Sequence, residues 1–453
     1  MIDLVVRGNR VVCPDVRPAS VHISRGTIVA VKDHDDVPAG VPVIDARDLH
    51  VLPGLVDTHV HINEPGRTEW EGFDTATKAA AAGGVTTLVD MPLNSIPPTT
   101  TLEGLQAKIR ALEEKARVDV ALCGGLVPGN AKVDGGLAAL AAEGVVAFKC
   151  FLAESGVGEF SYVQEGDLRA GMKELARLGA PLFVHAELPG PLEEGEKAAL
   201  GGDPRAYATY LASRPRRAED AAVDLVLRLA KETGAKAHVV HLSSSDALTT
   251  FRRAREERID LTVETCPHYL TFASEEIPDG ATAYKCAPPI RESENRDKLW
   301  SALREGLIDQ VVTDHSPSTV ELKCSGSGDF MKAWGGISSL QIGLAAVWTA
   351  ARARGASVAD LVRWMSKAPA ALAGLSSTKG AIAVGQDADL VLWDPDAEHT
   401  IDAATLEHRN KITPYQDRAL KGAVMRTILR GETIYERGKG YPTGPHGRFL
   451  RRH

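Results

Sequence analysis

The pattern of apolar and polar positions changes texture twice along this chain, near residue 52 and again near residue 379. Residues 1–51 read as short alternating runs, IDLVVRGNRVV, SVHISRGTIVAVK and PVIDARDLHVLPG, with Gly and Asn turns between them and no helical period. From Gly380 the same texture returns in GAIAVGQDADLVLWDP and AVMRTILRGETIYERG. Strands at both ends predict one small β-domain assembled from residues 1–51 and 380–453. The final GYPTGPHGRFLRRH is basic and rich in Gly and Pro, and reads as a tail that is solvated or draped over a neighbouring surface, without chemistry of its own.

Between 52 and 379, short apolar runs alternate with longer amphipathic ones. The runs GLVDTHVH, GVTTLVDMP, VDVALCGG, GVVAFKCF, APLFVHAE, AHVVHLSS, LTVETCPHY and DQVVTDHSP predict eight strands. Segments such as 103–116, 219–234 and 295–306 carry the helical period between them. Eight strands with intervening helices fit a (β/α)8 barrel, an α/β fold. A doubly wound open sheet is the competitor. It would more often show a Gly-rich phosphate turn after its first strand, and none stands there.

Composition narrows the class without naming a function. The chain has 453 residues, 44% hydrophobic and 25% charged, which is ordinary for a globular protein of one large domain and a smaller one. A net charge of -8 gives no support for nucleic-acid or anionic-membrane binding. Cys13, Cys123, Cys150, Cys266, Cys286 and Cys324 contain no CxxC and read as separate thiols in a reducing compartment. With neither a signal-peptide pattern nor a membrane-length apolar run, a cytoplasmic location is expected.

Candidate chemistry lies at the strand ends. His59 and His61 stand two apart at the end of the first run, so strand alternation aims both imidazoles to one side. Alone, the pair is weak evidence. Lys149 ends the fourth run, His185 the fifth, His241 the sixth and Asp314 the eighth. In a closed parallel barrel these ends converge on one mouth, where barrel enzymes keep their sites. His238 begins its strand and belongs to the other end. A lysine ammonium cannot ligate a cation, but burial and nearby cations favour the neutral amine. A neutral amine can take up carbon dioxide as a carbamate whose two oxygens are able to bridge two metals.

THVH, FKCFL, VHAE, VHLSS and TDHSP, in this order, resemble the binuclear cyclic amidohydrolases of the amidohydrolase superfamily over nearly the whole chain. The resemblance implies a (β/α)8 TIM barrel with a small β-sandwich built from both termini. It also implies two divalent metal ions, zinc foremost, with cobalt and manganese as alternatives. His59 and His61 would hold one ion and His185 and His241 the other. Lys149, carboxylated by carbon dioxide or bicarbonate, would bridge them, and Asp314 would complete the first site. A homotetramer is implied as well.

Within that family the dihydroorotases carry an arginine two residues past the second histidine, which clamps a substrate carboxylate. Here that position is Asn63, and a neutral amide cannot provide the same bidentate charged pairing. EPGRTEWEGF, DMPLNS, AFKCFLAESG, ETCPHYL, KCAPPIR, TDHSPS and MKAWGGISSLQ resemble the allantoinases more closely than the hydantoinases, which usually lack the EPG turn and the CPHYL segment. That resemblance implies a small neutral substrate, allantoin, opened to allantoate by a metal-activated hydroxide with Asp314 as base and then acid. Candidate substrate contacts are Asn63, Asn94, Ser316, Gly335, Gly336 and Ile337; turn geometry alone explains Asn94 and Ser316 as well. Thr265 and His268 read as supporting residues, His315 as pointing away, and the long loop FLAESGVGEFSYVQEG as a lid. The alternatives are a hydantoinase or dihydropyrimidinase, a dihydroorotase, and a non-catalytic assembly scaffold.

Overall fold

A computed structural model describes residues 1–133 and 135–452. At its centre are eight parallel strands: β1 (Leu55–Val60), β2 (Val85–Asp90), β3 (Asp119–Gly125), β4 (Ala147–Phe151), β5 (Leu182–His185), β6 (Ala237–Val239), β7 (Leu261–Thr265) and β8 (Gln310–Val311). They pair in chain order. Just past β8 the circle closes, because Val60 bridges His315 in parallel and the His61 N–H donates to the His315 carbonyl at 2.9 Å. These are the eight runs read as strands in the sequence.

A barrel helix follows each strand, α1 (Phe73–Ala82), α2 (Leu102–Glu113), α3 (Gly136–Ala142), α4 (Glu165–Leu178), α5 (Arg216–Thr233), α6 (Leu248–Glu256), α7 (Ser293–Glu305) and α8 (Gly343–Arg352), and several connections carry additional helices, Pro189–Ala198 and Tyr207–Ser213 before α5 among them. The Thr101 hydroxyl caps α2 by accepting the Gly104 N–H at 3.2 Å. Along α5, Ala222, Val223, Val226, Leu229 and Ala230 are buried, the spacing of one apolar face, and Gly234 ends the helix in the left-handed region at φ 70°.

The two ends of the chain meet in one mixed sheet of eight strands. Its order is Glu432–Glu436, Ala419–Leu429, Leu390–Thr400, His50–Pro53, Leu4–Val12, Val16–Ser24 and Thr27–Lys32, with Val43–Asp45 also paired to Leu4–Val12. It has its own core, centred on Val6, Val21, Ile28, Val51, Leu390 and Ile428. Buried Lys379 ties this sheet to the base of the barrel, with Nζ at 2.6 Å from Asp119, 2.7 Å from Asp389 and 2.9 Å from Asp387.

Of the two readings of the basic tail, the structure selects draping. Phe449–Leu450 pairs in parallel with Val120 and Ala121 of β3, below the point where β3 pairs with β4. The Val120 N–H donates to the Arg448 carbonyl at 3.0 Å, and the Arg452 N–H to the Gly144 carbonyl at 3.0 Å. β3 begins four residues before its first pair with β4, Cys123 with Ala147, and the tail satisfies strand groups that this stretch would otherwise leave unpaired.

Candidate metal centre

All six sequence-selected residues converge on one cavity of about 270 Å³ at the C-terminal mouth of the barrel. His59 lies in β1 and His61 one residue past it, Lys149 in β4, His185 at the end of β5, His241 two residues past β6, and Asp314 three past β8. Asp314 Oδ1 stands 3.3 Å from His59 Nε2 and 3.5 Å from His61 Nε2. On the other side, His185 Nδ1 and His241 Nε2 face each other 3.0 Å apart. His241 and Asp314 both have left-handed backbones, at φ 40° and 44°. For residues other than glycine that conformation costs on the order of 1–3 kcal/mol, a strain typical of groups whose direction matters.

Buried polar atoms without partners show that this donor set fits a cation site. His59 Nε2, His241 Nδ1 and Lys149 Nζ are buried and have no hydrogen-bond partner among the described residues. Burial pushes the His61 imidazole down to about 4, against the opposing pull of Asp314, which favours the neutral form that ligates metals. Burial likewise lowers the Lys149 ammonium to about 8, with Asp314 and Glu264 opposing, so the neutral amine is accessible near physiological pH. For Asp314, burial acts upward, but the His59, His61 and His241 side chains outweigh it and hold the carboxyl well below the usual range. The arrangement therefore offers neutral nitrogens, one carboxylate and one uncapped amine in a small volume, a set suited to divalent ions of the zinc, cobalt and manganese kind.

A layer of acids behind these groups was not legible in the sequence reading. Glu264 of β7 is fully buried, and its carboxylate accepts from His59 Nδ1 at 2.6 Å, His238 Nε2 at 3.0 Å, Gln310 Nε2 at 3.1 Å and the His241 backbone N–H at 3.3 Å. The bond at Nδ1 leaves His59 Nε2 free to face the cavity. His238, assigned from its position to the far end of the barrel, reaches the site through this carboxylate. Glu187 accepts from His185 Nε2 at 2.9 Å, leaving Nδ1 to face inward, and pairs with the Arg214 guanidinium, whose Nε lies 3.1 Å away. Arg214 holds the Glu187 carboxyl down at about 2 despite its burial. The available signals were an acid two residues past His185 and a charged residue inside the short strand Leu-Thr-Val-Glu-Thr of β7.

The proposed substrate contacts divide. Asn94, Ser316, Gly335 and Gly336 line the cavity, together with Phe151, Tyr210, Arg214, Lys285 and Trp334. Asn63 and Ile337 are not among its lining residues. Asn63 is fully buried, its Nδ2 donates to the Pro317 carbonyl at 3.3 Å, and its backbone lies at φ 66°, where asparagine is favoured for conformational reasons. The Ile337 carbonyl accepts the Ser316 N–H at 3.1 Å. Ser316 Oγ donates to Asp314 Oδ1 at 2.7 Å, so it orients the acid as well as facing the cavity. Thr265 donates to the Leu242 carbonyl at 3.0 Å. His315 turns to Glu71 at 3.2 Å, away from the mouth. His268 is buried, with neither ring nitrogen partnered among the described residues. From the loop after β4, Glu154, Ser155 and Gly156 reach the cavity, and Glu159 forms an ion pair with Arg67 of the loop after β1.

A (β/α)8 barrel with four imidazoles, a lysine and an aspartate gathered at its mouth defines a class of metal-dependent hydrolases. A profile of the Amidohydrolase family matches residues 50–434, and the chain belongs to that family. It is 53% identical over 453 residues to a protein of Streptomyces avermitilis named allantoinase, covering 100% of this chain and 99% of the relative. An Arabidopsis thaliana protein also named allantoinase is 44% identical, covering 96% and 88%. Among solved structures, the L-hydantoinase (dihydropyrimidinase) from Arthrobacter aurescens superposes with a TM-score of 0.94 at 33% identity, covering 100% of both chains.

Proposed function

We propose that this protein opens the hydantoin ring of allantoin by hydrolysis, giving allantoate in purine degradation. The observation that carries the reaction class is the convergence of His59, His61, Lys149, His185, His241 and Asp314 on one cavity, with a buried Lys149 amine that has no partner among the described residues. For the substrate, the support is full-length similarity to proteins named allantoinase. His59, His61 and Asp314 would hold one divalent ion, His185 and His241 a second, and carboxylated Lys149 would bridge them. Such ions, zinc in our reading, supply Lewis-acid activation of water and of the ring carbonyl near neutral pH.

The chain's own residues set the geometry of the reaction. Glu264 and Glu187 fix which ring nitrogens of His59 and His185 face inward. Asp314, kept ionised, takes a proton from the attacking water as its oxygen bonds to the ring carbonyl carbon. The same carboxyl then gives that proton to the ring nitrogen as the carbon–nitrogen bond breaks. Ser316 holds the Asp314 carboxylate during both transfers. Asn94 and the Gly335–Gly336 backbone, which line the cavity, would read the ring and the ureido arm.

No described helix is long and apolar enough to cross a membrane. With six free cysteines, five of them buried, we assign the protein to the reducing cytoplasm, as a homotetramer by family resemblance. A panel of allantoin, hydantoin and dihydroorotate, each followed by its ring-opened product, tests the substrate reading. Allantoin should have the highest kcat/KM. A higher value for hydantoin or dihydroorotate would overturn the assignment.

A further inference from the structure

Behind the cavity wall lies Lys323, 3% exposed, whose ammonium donates to the carbonyls of Lys285 at 3.0 Å, Trp334 at 3.0 Å and Gly336. Three acceptors use all three N–H groups of an ammonium. Burial pushes the Lys323 ammonium down to about 7, the Cys286 thiol opposes that shift and the Lys285 ammonium adds to it, and no carboxylate is among the groups that act on it. Lys285 is held in the same manner, donating to the carbonyls of Ala333 at 2.6 Å and Met331 at 3.3 Å. A buried ammonium without a counter-ion is costly, and a methionine would fill similar space without that cost. Its presence calls for a role in the carbonyls it gathers.

Those carbonyls belong to two segments that form one wall, since Lys285, Ala287, Trp334, Gly335 and Gly336 all line the cavity. In a trans peptide the C=O and the following N–H point in opposite directions. Turning the Trp334 carbonyl toward Lys323 therefore turns the Gly335 N–H away from it. That N–H has no hydrogen-bond partner in the protein among the described residues. At Gly336 a Cβ would lie 2.2 Å from the Ser316 carbonyl oxygen, so the wall sits directly against the residue that orients Asp314. We propose that Lys323 is a positioning residue: by gathering the Lys285, Trp334 and Gly336 carbonyls it sets the Gly335 N–H as a donor to a substrate carbonyl oxygen. This rests on the ring-amide reading given above.

The test is steady-state kinetics on the full-length, metal-loaded enzyme with Lys323→Met and Lys323→Ala. Binding through an oriented donor predicts that KM for allantoin rises about tenfold, with kcat within about threefold of wild type. Methylammonium or ethylammonium should restore KM in Lys323→Ala saturably, whereas tetramethylammonium, which has no N–H, should not. An unchanged KM would overturn the inference, as would a joint fall in kcat and rise in KM that no amine reverses. If neither variant accumulates folded, Lys323→Gln keeps two donors without the charge; an intermediate KM supports the role and a wild-type KM contradicts it. A wild-type enzyme that opens hydantoin but not allantoin overturns the substrate reading alone, and the same KM comparison is then made with hydantoin.

Discussion

Replacing Glu264 by glutamine changes one oxygen to NH2 at a carboxylate that serves four donors, two on each oxygen. His59 Nδ1 and the His241 N–H address Oε1, and His238 Nε2 and Gln310 Nε2 address Oε2. Whichever oxygen becomes the amide nitrogen, two buried donors lose their acceptor, at about 1–3 kcal/mol each if nothing adjusts. With the NH2 toward His59, relief requires the proton to move from Nδ1 to Nε2, the nitrogen that faces the cavity, and that tautomer cannot ligate a metal. With the NH2 toward His238, the imidazole can shift its proton to Nδ1, where the Thr262 hydroxyl stands 2.8 Å away, so this placement is the cheaper one. His59 then keeps its tautomer but donates to a neutral carbonyl, and its outward nitrogen becomes a weaker ligand. Losses at such outer partners run about 10–100-fold in metal affinity or activity. Chelator-competition titration of Glu264→Gln, with kcat measured at low and at saturating metal, should show weakened binding and partial recovery of turnover at high metal. Wild-type affinity together with wild-type turnover would refute the claim that Glu264 sets the His59 ligand nitrogen.

Other substitutions separate the roles of the remaining groups. Asp314→Asn should keep its fold and lose on the order of 10²–10⁴ in turnover, the usual span for a general acid–base group; wild-type turnover would remove Asp314 from proton transfer. Lys149→Ala should lose activity and most of its bound metal, and in the wild-type protein reconstitution in bicarbonate should give more active enzyme than reconstitution in carbon-dioxide-free buffer. Equal recovery in both buffers would contradict the carbamate. Gly447→Ala would place a Cβ 1.9 Å from the Val118 carbonyl oxygen. Forcing the tail off β3 should lower stability by about 1–3 kcal/mol, read as a lower urea midpoint with an unchanged slope, and an unshifted midpoint would show the tail contact to be dispensable.

The legible part of this protein had a physical reason to be legible. Parallel barrel strands are buried on both faces and read as apolar runs, so a His, Lys or Asp at the end of such a run stands out. One barrel topology then brings every strand end to the same mouth. His185 and His241 could be brought to one mouth in advance for that reason, while their pairing as ligands of one ion is what the family resemblance implies. Glu264 could not, because its strand reads Leu-Thr-Val-Glu-Thr, and nothing in that mixture tells a ligand's partner from a packing residue. His238 was placed by its distance from the strand end, yet the interior of the barrel connects the layers, and Glu264 spans that distance. Asn63 illustrates a different loss. Its position in the motif invited a reading about substrate charge, whereas its buried amide and φ of 66° place it in the support of the loop after β1.

Removing the metal and restoring it, with allantoate formation followed at each step, tests the account most directly. Chelated protein should form no allantoate, and activity should return in proportion to divalent ion bound, reaching its maximum at two ions per chain when bicarbonate is present. Allantoate formation at full rate by metal-free protein, or none from protein carrying two ions, would contradict it.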